Sequence, residues 1–203
     1  IIRELTEDDA AFRSLTRSWF EHSDLLALMR LVADRGHTVI VTSDHGMTDI
    51  SPERVVNIND YVKPEWCEVI DGRTPTSIFS KPEYRDSICN ALKKAAHIRV
   101  WKKEEIPAEL HYGSSDRIGD IVVAPELGWQ FTDVARDTKG AHGYFPQSPD
   151  MQVMFRAIGP DFKRGYISGG FVNVDIYPLL SHLLQIVPEK TDGQFERIKE
   201  ILR

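Results

Sequence analysis

Cysteine is scarce in this 203-residue chain, which carries only Cys67 and Cys89. Two cysteines outside any Cys-x-x-Cys pattern exclude a disulfide-stapled scaffold. They leave open either reduced thiols or one bridge, and with that the redox compartment. Long apolar runs are also missing. None approaches the roughly 20 residues a membrane-spanning helix needs, so no membrane span is expected. Basic charge is short: 25 Lys and Arg stand against 31 Asp and Glu, a net charge of -6. Duplex nucleic acid is therefore not an expected partner, because it demands a basic field. Phosphate chemistry is not excluded, since metal ions supply positive charge locally. With 13 Gly and 11 Pro, collagen-like and linker compositions are ruled out. No internal repeat, low-complexity tract or signal peptide is visible. The chain starts at Ile1 without Met and runs into Arg3, Glu4, Glu7 and Asp8, which reads as the interior of a longer protein.

What is present is a folding composition, 41% hydrophobic and 28% charged, enough for one large domain or a domain with a small companion. Residues 9–35 read as helix, broken near Ser23, a good N-cap, with Leu25, Leu26, Met29 and Val32 at helical spacing and Gly36 as the stop. Thr38 to Thr42 is a β-branched run, predicted as a strand buried on both faces. Helix, strand, then the polar loop Ser43-Asp44-His45-Gly46 is the order of an α/β fold, whose sites gather at the carboxyl ends of strands. From Ser51 the texture changes. Short strands are predicted at 54–58, 68–70, 77–80, 97–101 and 120–123 around a helix at 82–96. A return strand over 152–158 and helices over 175–184 and 194–203 follow. The expected organisation is a core α/β part over 1–50, an inserted α+β cap over 51–126, and a second core part over 127–203.

Two motifs carry chemistry. In Thr42-Ser43-Asp44-His45-Gly46-Met47, a hard carboxylate and an imidazole stand side by side just past a strand. Zn²⁺ accepts both ligand types. Taken alone, Asp-His-Gly is also the pattern of an ordinary surface turn. The second motif is Lys139-Gly140-Ala141-His142-Gly143-Tyr144. A histidine between two glycines belongs in a loop, either as a ligand or as a solvated side chain. The pair of motifs, separated by a cap-sized stretch, is more specific than either one.

Four segments, "VIVTSDHGM", "RIGDIVVAPELGW", "GAHGYFPQSPDMQVMFRAIGPDFKRG" and "NVDIYPLLSHLLQI", resemble the type I phosphodiesterase/nucleotide pyrophosphatase family of the alkaline phosphatase superfamily, in the family's motif order from about Thr38 to the C-terminus. The stretch ahead of Asp-His-Gly, "SLTRSWFEHSDLLALMRLVADRG", is also similar to the PglZ-type branch of that superfamily. The resemblance implies an alkaline-phosphatase-like sheet with flanking helices, present in part. It also implies two divalent ions, most often Zn²⁺, with Asp44 and His45 as ligands of one and His142 as a ligand of the other. The family's remaining ligands, including an Asp-x-x-x-His pair, and its Thr or Ser nucleophile match no position here. They are expected in a missing N-terminal half of the domain. By itself the chain is expected to hydrolyse nothing at a useful rate.

The activity implied is hydrolysis of phosphodiester or nucleotide pyrophosphate bonds in a small substrate. The alternatives are a PglZ-like phosphodiesterase or nuclease, a phosphomonoesterase, or a degenerate noncatalytic binding module. Related bacterial enzymes are commonly exported, which implies periplasm or cell envelope. Other candidates read as structural: Thr42 and Ser43 as parts of the strand end, Asp175 as a helix N-cap, Tyr112 as a packed aromatic, and His97 and His182 as satisfied histidines.

Overall fold

The computed structural model describes residues 24–72, 74–135 and 138–203. In chain order its regular elements begin with helix α1 (Asp24–Ala33) and strands β1 (Val39–Thr42), β2 (Thr48–Asp49), β3 (Val55–Asn57), β4 (Cys67–Asp71) and β5 (Thr76–Ser80). Helix α2 (Arg85–Leu92) leads to β6 (Ile98–Lys102), β7 (Ile121–Pro125), β8 (Gln130–Thr132), β9 (Gly140–Ala141), β10 (Phe155–Ile158) and helix α3 (Ile176–Leu183). The expected helix over 9–22, the Ser23 cap and the side chains of Leu25 and Leu26 lie outside the described residues. The chain divides into two compact units, 1–44 with 153–203, and 45–152. The stretch 51–126 lies wholly inside the second unit, which extends past it on both sides.

In the first unit, β1 pairs antiparallel with β10, from Val39 opposite Ile158 to Thr42 opposite Phe155. Strand alternation splits its side chains. Val39 and Val41 pack toward Met29 of α1, while Ile40 joins the cluster of Phe155, Phe162 and Leu179. The strand therefore meets apolar side chains on both faces, yet its residues remain half-buried and Thr42 is exposed. The expectation of full burial is corrected: among the described residues β1 has a ladder on one edge only.

The helix expected over 194–203 does not form. Phe195–Arg197 and Lys199–Ile201 are separate 3-10 turns. The backbone of this tail is committed elsewhere. Lys163 N–H donates to the Ile201 carbonyl, Arg203 N–H donates to the Asp161 carbonyl, and Phe162 bridges Leu202. That docking lays Ile198 and Ile201, both buried, against Phe155 and Leu179. Packing replaces the i to i+4 ladder that the apolar spacing suggested.

The second unit is built on an antiparallel sheet of order β4-β5-β7-β6. Ile88 and Leu92 of α2 are fully buried with Ile78, Ile121 and Val123 of the sheet. Burying each such side chain contributes about 2–3 kcal/mol. The helix is shorter than the expected 82–96. Pro82–Tyr84 is a 3-10 turn, and His97, at φ 65°, reverses the chain into β6. The His97 ring stacks on Trp129 at 3.6 Å, and its Nδ1 lies 2.9 Å from Glu126 Oε2, which makes it structural as read. Two further ladders complete the unit: β3 parallel to β8, and β2 antiparallel to β9. Both cysteines are free thiols, which settles that question against a bridge. Burial pushes both thiols above their ordinary value. Among the described residues no helix is long and apolar enough to cross a membrane.

Candidate metal centre

The Asp-His-Gly motif begins two residues past the end of β1, as an α/β fold requires. The Thr42 hydroxyl donates to the Met154 carbonyl at 3.1 Å and so ties the strand end to the residue before β10. Asp44 is exposed, and its main-chain carbonyl accepts a hydrogen bond from Asn173 Nδ2 at 3.0 Å. His45, the next residue, is half-buried.

A two-residue ladder brings the second motif to His45. β2 pairs with β9 so that Thr48 faces Ala141 and Asp49 faces Gly140. In an antiparallel register, residues before Thr48 run alongside residues after Ala141. His45 and His142 lie just there, and their rings stack at 3.5 Å with planes 11° apart. Gly46 permits this approach. A Cβ on it would sit 1.9 Å from the Asp150 carbonyl oxygen, and its own N–H donates to the Met151 carbonyl. Gly143, immediately after His142, has φ 93°, and a Cβ there would sit 2.0 Å from the Thr74 carbonyl oxygen. Both glycines let backbone pass against backbone, where any side chain would force the loops apart.

The ring chemistry of His45 suits metal binding. Its Nδ1 lies 2.9 Å from the Gly46 carbonyl oxygen, an acceptor only. That contact is a hydrogen bond when Nδ1 carries the proton, and Nε2 is then the acceptor nitrogen of the ring. A histidine that gives one ring N–H to a carbonyl and ligates with the other nitrogen is the usual arrangement at metal sites. The donor set is partial: among the described residues no group of three or more His, Cys, Asp and Glu is placed to hold an ion.

Other sequence candidates resolve as follows. Asp175 occupies the N-cap position of α3 but makes no capping bond. Its fully buried carboxylate instead accepts from Gln194 N–H at 2.8 Å and from Arg197 Nη2 at 2.6 Å and Nε at 3.0 Å. Its hydrogen bonds to that carboxylate hold the Arg197 guanidinium above its usual value. His182 is exposed and stacks on Phe195 at 4.4 Å, a boundary histidine. Tyr112 is 40% exposed and lines an apolar cleft of about 190 Å³ with Trp101, Leu110 and Phe145. Partial burial, then the Asp71 charge, raises its phenol. Asn173 was not a sequence candidate, and nothing in its residue type marks it. Only the contact with Asp44 does.

Comparison with known proteins places these residues in context. The sequence profile described as "Type I phosphodiesterase / nucleotide pyrophosphatase" matches residues 23–145, and so takes in 23–37 ahead of Thr38. The chain is 37% identical over 166 residues to "Bis(5'-adenosyl)-triphosphatase ENPP4" of Bos taurus, covering 81% of this chain and 36% of the relative. It is 34% identical over 167 residues to human ectonucleotide pyrophosphatase/phosphodiesterase family member 5, covering 81% of this chain and 35% of the relative. The solved human member 5 superposes with a TM-score of 0.83 at 29% identity, over 98% of this chain and 55% of that one. An inactive murine member 5 in complex with AMP gives 0.83 at 30% identity, over 99% and 55%. The fold is thus the alkaline-phosphatase-like α/β fold of these proteins, in part. The chain spans about a third of the length of the curated relatives and about half of the solved ones. With its profile match running through both histidine motifs, the chain belongs to the type I phosphodiesterase/nucleotide pyrophosphatase family.

Proposed function

We propose that this chain forms part of a metal-dependent hydrolase of phosphodiester or nucleotide pyrophosphate bonds. The observation that carries the reading is the stacked pair His45 and His142, with Nδ1 of His45 committed to a carbonyl. Family membership supports it, as do the bis-adenosyl triphosphatase named among the relatives and the AMP complex of a solved one. In this reading Asp44 and His45 hold one Zn²⁺ ion and His142 a second. When bound, the two ions lower the pKa of a nucleophilic hydroxyl and offset charge on the phosphoryl oxygens.

The chain's own residues do the holding. Asp44 offers hard carboxylate oxygens, and the Gly46 carbonyl orients the His45 ring so that Nε2 points away from it. Gly143 keeps the chain after His142 tight against Thr74, which limits how far that imidazole wanders. The other ligands and the nucleophile come from the N-terminal part of the domain, outside the described residues. Thr42 is read as part of the strand end, its hydroxyl donating to the Met154 carbonyl. The substrate is a small phosphodiester or nucleotide, and the setting is an exported one, periplasm or cell envelope.

The test uses the natural polypeptide that carries this sequence, assayed on a nitrophenyl nucleotide diester and the matching monoester. The expected result is zinc-dependent preference for the diester. His142→Ala should lower kcat/KM by more than about 100-fold, since even outer partners of metal ligands cost 10–100-fold. Preference for the monoester overturns the diesterase reading. No turnover of either ester, with no upstream Asp-x-x-x-His and no Thr or Ser nucleophile, establishes a noncatalytic binding module instead.

A further inference from the structure

The geometry points to Asn173 as a positioning residue for Asp44, held in place by the ion pair of the buried Asp175, which lies outside the metal centre. This inference rests on the metal reading above. Asn173 opens the 3-10 turn Asn173–Asp175 ahead of α3. Its side-chain amide donates to the Asp44 main-chain carbonyl at 3.0 Å, across 129 residues of sequence. A hydrogen bond to the carbonyl of that same residue restricts the Asp44 peptide plane and therefore the aim of its Cα–Cβ bond.

The turn that presents Asn173 is itself clamped. Asp175 is fully buried, and its carboxylate takes bonds from Arg197 and from the Gln194 N–H. Arg197 also donates to the Asp192 carbonyl at 3.2 Å, which ties the 192–197 loop together. Gly193 lets that loop reach the turn: a Cβ there would sit 2.2 Å from the Val174 carbonyl oxygen. A chain of contacts thus runs from Arg197 to Asp175, along the turn to Asn173, and on to Asp44.

The experiment measures Zn²⁺ affinity by competition with a chromophoric chelator, in the natural polypeptide, for the parent, Asn173→Asp, Asn173→Ala, Asn173→Ser and Asp44→Asn. Metal-free thermal unfolding is followed in parallel. Asn173→Asp keeps the shape but sets an acceptor against the Asp44 carbonyl. It should weaken Zn²⁺ binding by about tenfold or more, as outer-sphere partners do, with metal-free unfolding unchanged. Asn173→Ala should show the same direction with a smaller loss, and Asn173→Ser, a shorter donor, should restore part of it. Asp44→Asn should lose more than either Asn173 variant. If Asp44→Asn weakens binding while both Asn173→Asp and Asn173→Ala bind as the parent does, the positioning role is wrong and the metal reading stands. A drop in metal-free unfolding with unchanged affinity also overturns it, since that marks a purely structural contact. If the parent binds no Zn²⁺, or Asp44→Asn changes nothing, both readings fail.

Discussion

Gly143→Ala is the sharpest perturbation the structure offers, because two independent costs meet at one position. Gly143 has φ 93°, a backbone state that costs an L-residue about 1–2 kcal/mol. The added Cβ would also lie 2.0 Å from the Thr74 carbonyl oxygen and 2.9 Å from its carbon. Ordinary carbon contacts lie near 3.5 Å, so one backbone segment must move by more than about 1 Å. Overpacking of this kind typically costs about 1–3 kcal/mol. The expected destabilisation is therefore about 2–5 kcal/mol, read by equilibrium urea denaturation. Gly169→Ala is the internal control. No atom lies within 4 Å of a Cβ there and its φ is not left-handed, so the change should fall within about 0.5 kcal/mol of zero or stabilise slightly. A loss under about 0.5 kcal/mol for Gly143→Ala would refute the claim that backbone closeness at this glycine sets the position of the loop carrying His142.

Arg197→Met removes the partner of the buried Asp175 carboxylate, and stability should fall by about 2–3 kcal/mol. That is less than the 3–5 kcal/mol of a fully buried pair, because Arg197 is 41% exposed. A chemical melt that superposes on the parent's would show the pair to be idle. In the second unit, a hydrogen bond from Arg85 holds Glu104 below the usual carboxylate range, and one from Lys102 does the same for Asp86. Depressed folded values mean that these pairs contribute fully above about pH 5 and that the contribution is lost as pH falls through the lower folded values. Thermal melts from pH 5 to pH 2 should therefore show a smaller acid loss in the double variant Glu104→Gln, Asp86→Asn, and an identical acid limb counts against the assignment. Cys89 is 1% exposed and its thiol is raised by burial, so it should resist a thiol-reactive dye at pH 7 until the protein unfolds, whereas half-buried Cys67 should react first. Equal rates for the two thiols in the native protein would contradict the burial of Cys89 between α2 and its sheet.

Local patterns in the chain were enough to locate much of the architecture. The β-branched run 39–42 forms β1, the apolar spacing of 176–183 forms α3, and Asp-His-Gly follows β1 where an α/β fold places functional loops. Each depends on neighbours a few residues apart, so composition and period reveal them. The tail 194–203 misled for the same reason. Its apolar spacing is helical, but bonds to residues 161–163, far away in sequence, take its backbone. Asp175 misled likewise, since a short acidic side chain ahead of a helix reads as a cap until Arg197 appears beside it.

The residue types at the candidate centre, a carboxylate and two imidazoles on glycine-flanked loops, were set by the sequence alone, because ligand chemistry is a property of side chains. The approach of the two imidazoles was decided only in three dimensions. The β2–β9 ladder that brings His45 against His142 is two residues long, too short to leave a periodic trace, and the flanking Gly46 and Gly143 pack against the backbones of Asp150 and Thr74, far away in sequence. The reach of Asn173 to Asp44 is tertiary for the same reason: a single hydrogen bond across 129 residues has no local signature and forms only once the fold has brought its donor and acceptor together.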